Sequence, residues 1–98
     1  MYEIRKTDVF VRWLDNLGDR RGRAKILARL DRVAEGNLGD TKPVGDGVAE
    51  FRISFGPGYR MYYTKRRNIV VILLLGGDKS TQEKDIKRAI QMVQNLEE

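Results

Sequence analysis

Cysteine and histidine are both absent from this chain of 98 residues, and each absence excludes a class of chemistry. Without cysteine there is no disulfide framework, no thiolate nucleophile and no zinc site built from thiolates. Without histidine the chain lacks the side chain that most often acts as a general base or metal ligand near neutral pH. We therefore predict no metal and no cofactor, and any chemistry must depend on Lys, Arg, Tyr, Asp or Glu.

Long hydrophobic runs are also missing. The longest apolar stretch, Ile69 to Leu75, has the length of a strand and is too short to span a membrane. Charged residues occur from Glu3 onward, which is unlike a signal peptide. We expect a single domain over residues 1–98 in the cytoplasm, with no membrane partner.

Basic residues outnumber acidic ones. The chain has 19 Lys and Arg against 14 Asp and Glu, a formal net charge of +5. A positive balance favours an anionic partner, and nucleic acid is the commonest one for a small basic domain.

The spacing of apolar residues predicts a small α+β protein. A short amino-terminal strand precedes two amphipathic helices, over about 8–17 and 19–35. Residues 36–47 read as a Gly-, Asp- and Pro-rich loop, followed by three antiparallel strands and a last helix with Ser80 as its N-cap. The predicted order is β-α-α-β-β-β-α, and we expect the first strand to pair with Ile69–Leu75 through the two-helix crossover.

The stretch AEFRISFGPGYRMYY, residues 49–63, predicts a hairpin with one apolar face. Symmetric pairing about the turn 56–58 places Arg52 opposite Tyr62 on the other face, with Arg60 nearby. Two guanidinium groups on a rigid sheet form a fork-shaped site for a phosphate, and a neighbouring tyrosine could stack on a base. The alternative is a solvated sheet face on which the arginines only maintain solubility.

The sequence GGDKSTQEKD, residues 76–85, offers a second candidate site at the predicted end of the last strand. Lys79 directly precedes a helix amino terminus, where anions are favoured. Gln82 and Asp85 lie about one turn apart and could point toward Lys79 or toward solvent. Ordinary turn chemistry, with Ser80 only capping the helix, explains the same residues.

Other basic clusters permit the same two interpretations. The polar side of the second helix, from Arg20 to Arg32, is either a solvated face or a surface for phosphates or an acidic segment. Lys65 and Arg66 are likewise either a solvated turn or phosphate contacts. Trp13 lies on an apolar helical stripe and is interpreted as a core residue.

Three segments in this order resemble the RelE/ParE toxin superfamily, in particular its HigB-like branch of addiction-module killer or phage Gp49-like proteins. They are RAKILARLDRVAEGNLGD, KPVGDGVAEFRISFGPGYRMYY and VVILLLGGDKSTQEKDI, and the likeness covers about residues 5–90. GPGYR followed at this distance by GGDKS is its most specific part. The resemblance implies a small twisted antiparallel sheet packed against two amino-terminal helices, with a carboxy-terminal helix.

The resemblance also implies a function. RelE-like members are ribosome-dependent endoribonucleases that cleave messenger RNA, whereas ParE-like members inhibit DNA gyrase and cleave nothing. The first hypothesis is therefore a type II toxin that acts as a metal-independent messenger RNA endoribonuclease and inhibits translation, and gyrase inhibition is the alternative. The expected partners are a cognate antitoxin, commonly a helix-turn-helix protein, and the ribosome with its messenger RNA.

Site residues are assigned under the first hypothesis. Arg52, Arg60 and Lys79 are expected to be catalytic, because cations stabilise charge that develops on phosphoryl and leaving oxygens. Contacts with RNA are expected from Tyr62, Lys65, Arg66, Gln82 and Lys84. The last helix lacks the tyrosine or histidine that some active relatives use, and Lys or Arg with an ordinary pKa is a poor base. We therefore expect a modest catalyst that acts mainly by electrostatics.

Overall fold

In a computed structural model that describes residues 1–96, five strands form one mixed sheet with helices on both faces. The elements are β1 (Glu3–Lys6), α1 (Asp8–Asp15), α2 (Arg20–Ala34), β2 (Thr41–Gly45), β3 (Val48–Ile53), β4 (Tyr59–Arg66), β5 (Val70–Asp78), a 3₁₀ turn (Lys79–Thr81) and α3 (Gln82–Gln94). The spatial order is β1-β5-β4-β3-β2. The predicted α+β class is confirmed. Within residues 1–96 no helix has the length and apolarity needed to cross a bilayer.

β1 pairs with β5 in parallel, as the crossover predicts, with Glu3 beside Val70 and Lys6 beside Leu73. The other pairs in the sheet are antiparallel, so the predicted antiparallel strands form a mixed sheet together with β1. β2, the strand that follows the two helices, runs opposite to β1, and the three antiparallel steps from β2 to β5 make β5 run parallel to β1.

β2 lies in the segment predicted to be a loop. It pairs antiparallel with β3 through a tight turn at Asp46 and Gly47, whose φ angles are 53° and 82°. Two consecutive positive φ angles are what a two-residue hairpin turn requires. Pro43 is tolerated because β2 is an edge strand with one unpaired side.

The connection between β3 and β4 comprises residues 54–58, not the expected three-residue turn. The amide of Phe55 donates to the Ile53 carbonyl at 2.9 Å, and Gly58 donates to Phe55 at 3.0 Å. Arg52 consequently lies opposite Arg60, and the predicted pairing with Tyr62 is shifted by two residues. A shift of two leaves every side chain on its predicted face, because side chains alternate with a period of two.

The first face of the sheet packs against α1 and α2. Its core includes Phe10, Ile26, Phe51, Met61 and Leu73, all 0% exposed. Trp13 packs against this core, as predicted, with its ring edge toward Tyr59 at 6.3 Å between centroids.

The two amino-terminal helices begin with capping side chains. Thr7 accepts a hydrogen bond from the amide of Phe10 at 3.1 Å, and Asp19 accepts one from Gly22 at 3.0 Å. Asp19 also accepts from the Tyr59 hydroxyl at 2.7 Å, which fastens the start of α2 to β4. Such caps satisfy amide groups that a helix end leaves unpaired.

α3 covers the second face of the sheet. Its apolar stripe, with Ala89 fully buried and Ile86 partly so, packs on a cluster that includes Tyr62, Leu74 and Leu75. The prediction of Ser80 as the N-cap of this helix is wrong, because the Ser80 hydroxyl donates to the Asp78 carboxylate and α3 begins only at Gln82.

β5 runs through the glycine pair that was expected to end it. A Cβ on Gly76 would lie 2.3 Å from the Trp13 ring on one face, and a Cβ on Gly77 would lie 2.1 Å from an Asp85 carboxylate oxygen on the other. These glycines therefore let a helix approach the same strand from each side.

Gly76→Ala should destabilise the protein by about 1–3 kcal/mol, since the Trp13 ring must move to admit a methyl group. Urea unfolding followed by tryptophan fluorescence measures this. Gly18→Ala is the matched control, because nothing lies within 4 Å of that position. Equal midpoints for the two variants would contradict the packing described.

Candidate functional site

The two predicted arginines share the second face of the sheet. Arg52 on β3 and Arg60 on β4 are directly opposite cross-strand neighbours, and Glu50 and Tyr62 are the next such pair. Residues directly opposite in an antiparallel pair project from the same face. The prediction that Arg52 and Arg60 lie on one face is confirmed.

Arg52 occupies the open part of this face. Its side chain is 36% exposed, and Nη2 and Nε donate to one oxygen of Asp40 at 2.8 and 3.2 Å. The hydrogen bond from Arg52 lowers the pKa of the Asp40 carboxyl, and the charges of Arg29 and Arg60 lower it further. Asp40 thus stays ionised and holds the guanidinium of Arg52 at the surface.

Arg60 lies deeper. Its side chain is 13% exposed, with Nε 3.6 Å from an oxygen of Glu50 and Nη1 donating to the Gly58 carbonyl at a long 3.4 Å. Nε is buried and has no hydrogen-bond partner among the described residues. The Arg60 guanidinium is therefore anchored mainly by charge, with donor capacity left unused.

Glu50 is the anion of this site and was not predicted. It is 1% exposed, and both its oxygens accept from the Gln82 amide of α3, at 3.0 and 3.3 Å. Since a buried carboxylate needs paired charge or hydrogen bonds, Glu50 holds Arg60 and α3 in one cluster. Gln82, predicted to contact RNA, points inward to this carboxylate.

Tyr62 is placed differently from the prediction. Its ring is 0% exposed beneath α3, and its hydroxyl has no hydrogen-bond partner among the described residues. Burial raises the pKa of this hydroxyl, and the carboxylates of Glu50 and Asp85 raise it further. The expectation that this part of the face is uncovered is wrong, and Tyr62 has no surface on which a nucleotide could stack.

Asp85, expected to point toward Lys79 or toward solvent, is a second buried carboxylate. It is 7% exposed and accepts from the Thr81 hydroxyl at 2.6 Å, within α3's first turn. No group of three or more His, Cys, Asp or Glu side chains able to hold a metal occurs among residues 1–96.

The structure brings Lys79 close to Arg60 at Gly58 but separates the other predicted cations. The Lys79 Cβ and the Arg60 Nη1 atom lie 3.5 and 3.6 Å from the point that a Cβ on Gly58 would occupy. Side chains alternate between the two faces along a strand, so Lys65 projects from the face opposite to that of its neighbour Arg66. The Lys65 Nζ atom lies 5.9 Å from the centroid of the Tyr2 ring. Arg66 lies six strand residues from Arg60, about 20 Å along β4. Lys84 is exposed on the first turn of α3.

Together these positions define a smaller site than expected, which we call the rim site: Arg52 with Asp40, the outer end of Arg60, and Lys79 beside Gly58. α3 fills the inner part of the face. The rim site can bind an anion through two guanidinium groups, and it carries no exposed neutral base.

Tyrosine ionisation should be coupled to unfolding at alkaline pH. Burial and the bond to Asp19 raise the pKa of Tyr59 to about 12, and burial also raises the pKa values of Tyr62 and Tyr63. The folded state favours the protonated phenols, so stability is full below pH 10, the ordinary tyrosine pKa, and falls as the pH rises toward about 12. Tyrosinate absorbance and circular dichroism should therefore change together.

Tyr59→Phe removes one of the coupled groups, so its alkaline stability limb should be shallower than that of the parent protein. Complete tyrosinate formation near pH 10 with an unchanged circular dichroism spectrum would contradict the burial of these rings.

Sequence comparisons give one family and one relative of this chain. The profile of the family described as phage derived protein Gp49-like matches residues 12–96. A protein of Haemophilus influenzae (strain ATCC 51907 / DSM 11121 / KW20 / Rd), described as uncharacterized, is 50% identical over 94 residues. The alignment covers 96% of this chain and 95% of that protein.

Proposed function

The chain belongs to the Gp49-like family of phage-derived proteins, and from this membership and the rim site we propose that it is a type II toxin that cleaves messenger RNA on the ribosome. The family is associated with toxin–antitoxin systems and their antitoxin partners. Cleavage, the ribosome and the helix-turn-helix type of the antitoxin are our proposals.

One observation carries the choice of reaction: two guanidinium groups stand opposite each other on adjacent strands, with a lysine at the same rim. Guanidinium forks match the oxygens of a phosphodiester, and a sheet holds them without reorganisation during the reaction. A site built from cations suits transfer within RNA, where the ribose supplies the nucleophile.

In the proposed reaction the ribose 2′-oxygen attacks the adjacent phosphorus and releases its proton to solvent. The new bond from O2′ to phosphorus forms as the bond from phosphorus to the 5′-oxygen breaks, leaving a 2′,3′-cyclic phosphate and a 5′-hydroxyl. Arg52 and Arg60 stabilise the charge on the non-bridging oxygens, and Lys79 donates a proton to the departing 5′-oxygen. With no exposed neutral base, most of the rate enhancement must come from charge and from positioning.

The contacts around Arg60 hold its guanidinium group in one orientation. Glu50 binds its inner end, and Gln82 binds Glu50 from α3, so the outer nitrogens face the rim at Gly58. The long bond to the Gly58 carbonyl is weak, so a phosphate can replace it. RNA would therefore bind across the rim, between the ends of β3 and β5, and would not lie along the sheet.

The test is induction of the protein in bacteria with two parallel readouts: mapping of messenger RNA ends and supercoiling by gyrase. We expect growth arrest with new 5′-hydroxyl ends inside codons, dependent on translation, and normal supercoiling. Intact RNA with blocked supercoiling would overturn the proposal in favour of gyrase inhibition. Normal growth with neither change would show that the chain is not a toxin of either kind.

A further inference from the structure

A second cationic surface lies beside the rim site and has no role in the proposed cleavage step. Lys25, Arg29 and Arg32 of α2 are spaced by four and three residues, which places them on one side of the helix. With Ile53 of β3 and the following residue, Ser54, they line a groove of about 260 Å³. We call it the α2 groove, and among residues 1–96 no carboxylate lines it.

Arg29 is the residue whose surroundings most favour binding of an anion in the α2 groove. Its Nε atom is buried without a hydrogen-bond partner among the described residues, while Nη1 donates to the Asp40 carbonyl at 3.3 Å. Burial lowers the pKa of Arg29, the charge of Arg32 lowers it further, and the charge of Asp40 offsets these effects only in part. A partly desolvated guanidinium beside a second cation is unfavourable unless an anion binds between them.

We propose that the α2 groove binds the phosphate backbone of RNA, next to the segment held at the rim site; the choice of RNA rests on the proposed function. The two sites are continuous, because Asp40 contacts Arg29 through its carbonyl and Arg52 through its carboxylate. An acidic polypeptide is the competing ligand. Such partners usually bind through buried aromatic or aliphatic anchors, and the apolar lining of the groove is limited to Ala28 and Ile53.

The experiment measures binding of a fluorescent ten-nucleotide 2′-O-methyl RNA, which cannot be cleaved, by anisotropy over a range of KCl concentrations. Each phosphate contact contributes about 0.7 to the slope of log K against log[KCl] for a single strand. Lys25→Gln/Arg29→Gln/Arg32→Gln should therefore make the slope shallower by about 2. The pair Lys25→Gln/Arg32→Gln should lower it by about 1.4 and leaves the contacts of Arg29 in place, in case the triple variant does not fold.

The matched control is Lys6→Gln/Arg12→Gln/Lys87→Gln, with exposed cations on β1, α1 and α3. It removes the same three charges, which takes the formal net charge from +5 to +2, and its slope should stay within error of the parent. Equal losses in the groove and control variants would overturn the proposal, because net charge alone would explain them. Loss of poly-glutamate binding in the groove variants, with RNA binding intact, would overturn it in favour of an acidic polypeptide.

Failure of this inference is distinguishable from failure of the proposed function. A groove-dependent slope in a protein that cleaves no RNA supports the groove and rejects the nuclease. Cleavage that persists with an unchanged slope in the groove variants supports the nuclease and rejects the groove.

Discussion

Arg52→Gln should lower the rate of messenger RNA cleavage by about 10²- to 10³-fold with little change in the free energy of unfolding. The change removes one of two cations expected to bind the reacting phosphate. Its structural cost is small, because the side chains of Arg52 and its partner Asp40 are both more than a third exposed and ion pairs near the surface contribute little stability. Single-turnover cleavage on programmed ribosomes and urea unfolding measure the two quantities.

Arg12→Gln is the matched control, since Arg12 is an exposed cation on α1, away from the rim site. Its cleavage rate should equal that of the parent protein. Parental cleavage by Arg52→Gln would remove Arg52 from the site and leave the proposed chemistry without its more accessible cation.

Arg60→Ala should destabilise the protein by about 3–5 kcal/mol, the largest stability effect that we expect. The Glu50 carboxylate is 1% exposed, so losing Arg60 leaves a buried charge with only the Gln82 amide as hydrogen-bond partner among the described residues. Removing both charges as Glu50→Leu/Arg60→Met should restore most of the stability, because an apolar pair of similar volume needs no compensation.

Urea unfolding of the parent, Arg60→Ala, Glu50→Leu and the double variant measures the coupling between Glu50 and Arg60. A coupling energy close to zero would mean that the ion pair between Glu50 and Arg60, whose nearest charged atoms are 3.6 Å apart, contributes nothing to the free energy of unfolding. The result also decides how loss of toxicity is interpreted. Inactivity of Arg60→Ala implicates Arg60 in chemistry only if the variant is shown to remain folded.

Much of the fold follows from apolar periodicity, but β2 does not. Pro43 and the surrounding glycines favour a loop, and only the dipeptide Asp46-Gly47 marks the hairpin turn that the structure contains. That signal was available, since Asp-Gly between apolar residues is a strong hairpin indicator. The glycine pair at 76–77 was also misinterpreted. Two consecutive glycines favour the end of a strand, but here they allow Trp13 and Asp85 to approach the strand closely.

The arginine pair of the site could be predicted although the predicted strand register was wrong by two residues. Side chains alternate between the two faces with a period of two, so the error left Arg52 and Arg60 on the same face. The covering of the inner face could not be read from the hairpin alone, where Glu50 and Tyr62 look like ordinary polar-face residues. The missing signal lay in α3. Its apolar stripe requires a surface, and α1 with α2 already occupies the first face, so the second face must be partly closed.

The parallel pairing of β1 with β5 has a consequence for synthesis. Residues 3–6 can join the sheet only after residues 70–78 have left the ribosome, and the second face closes only when α3 follows. Pairing of the first strand with the fifth joins residues that are far apart in the sequence, which raises the contact order. Folding is comparatively slow as a result. The rim site, which takes Lys79 from directly after β5, is therefore completed only once β5 is available to the sheet.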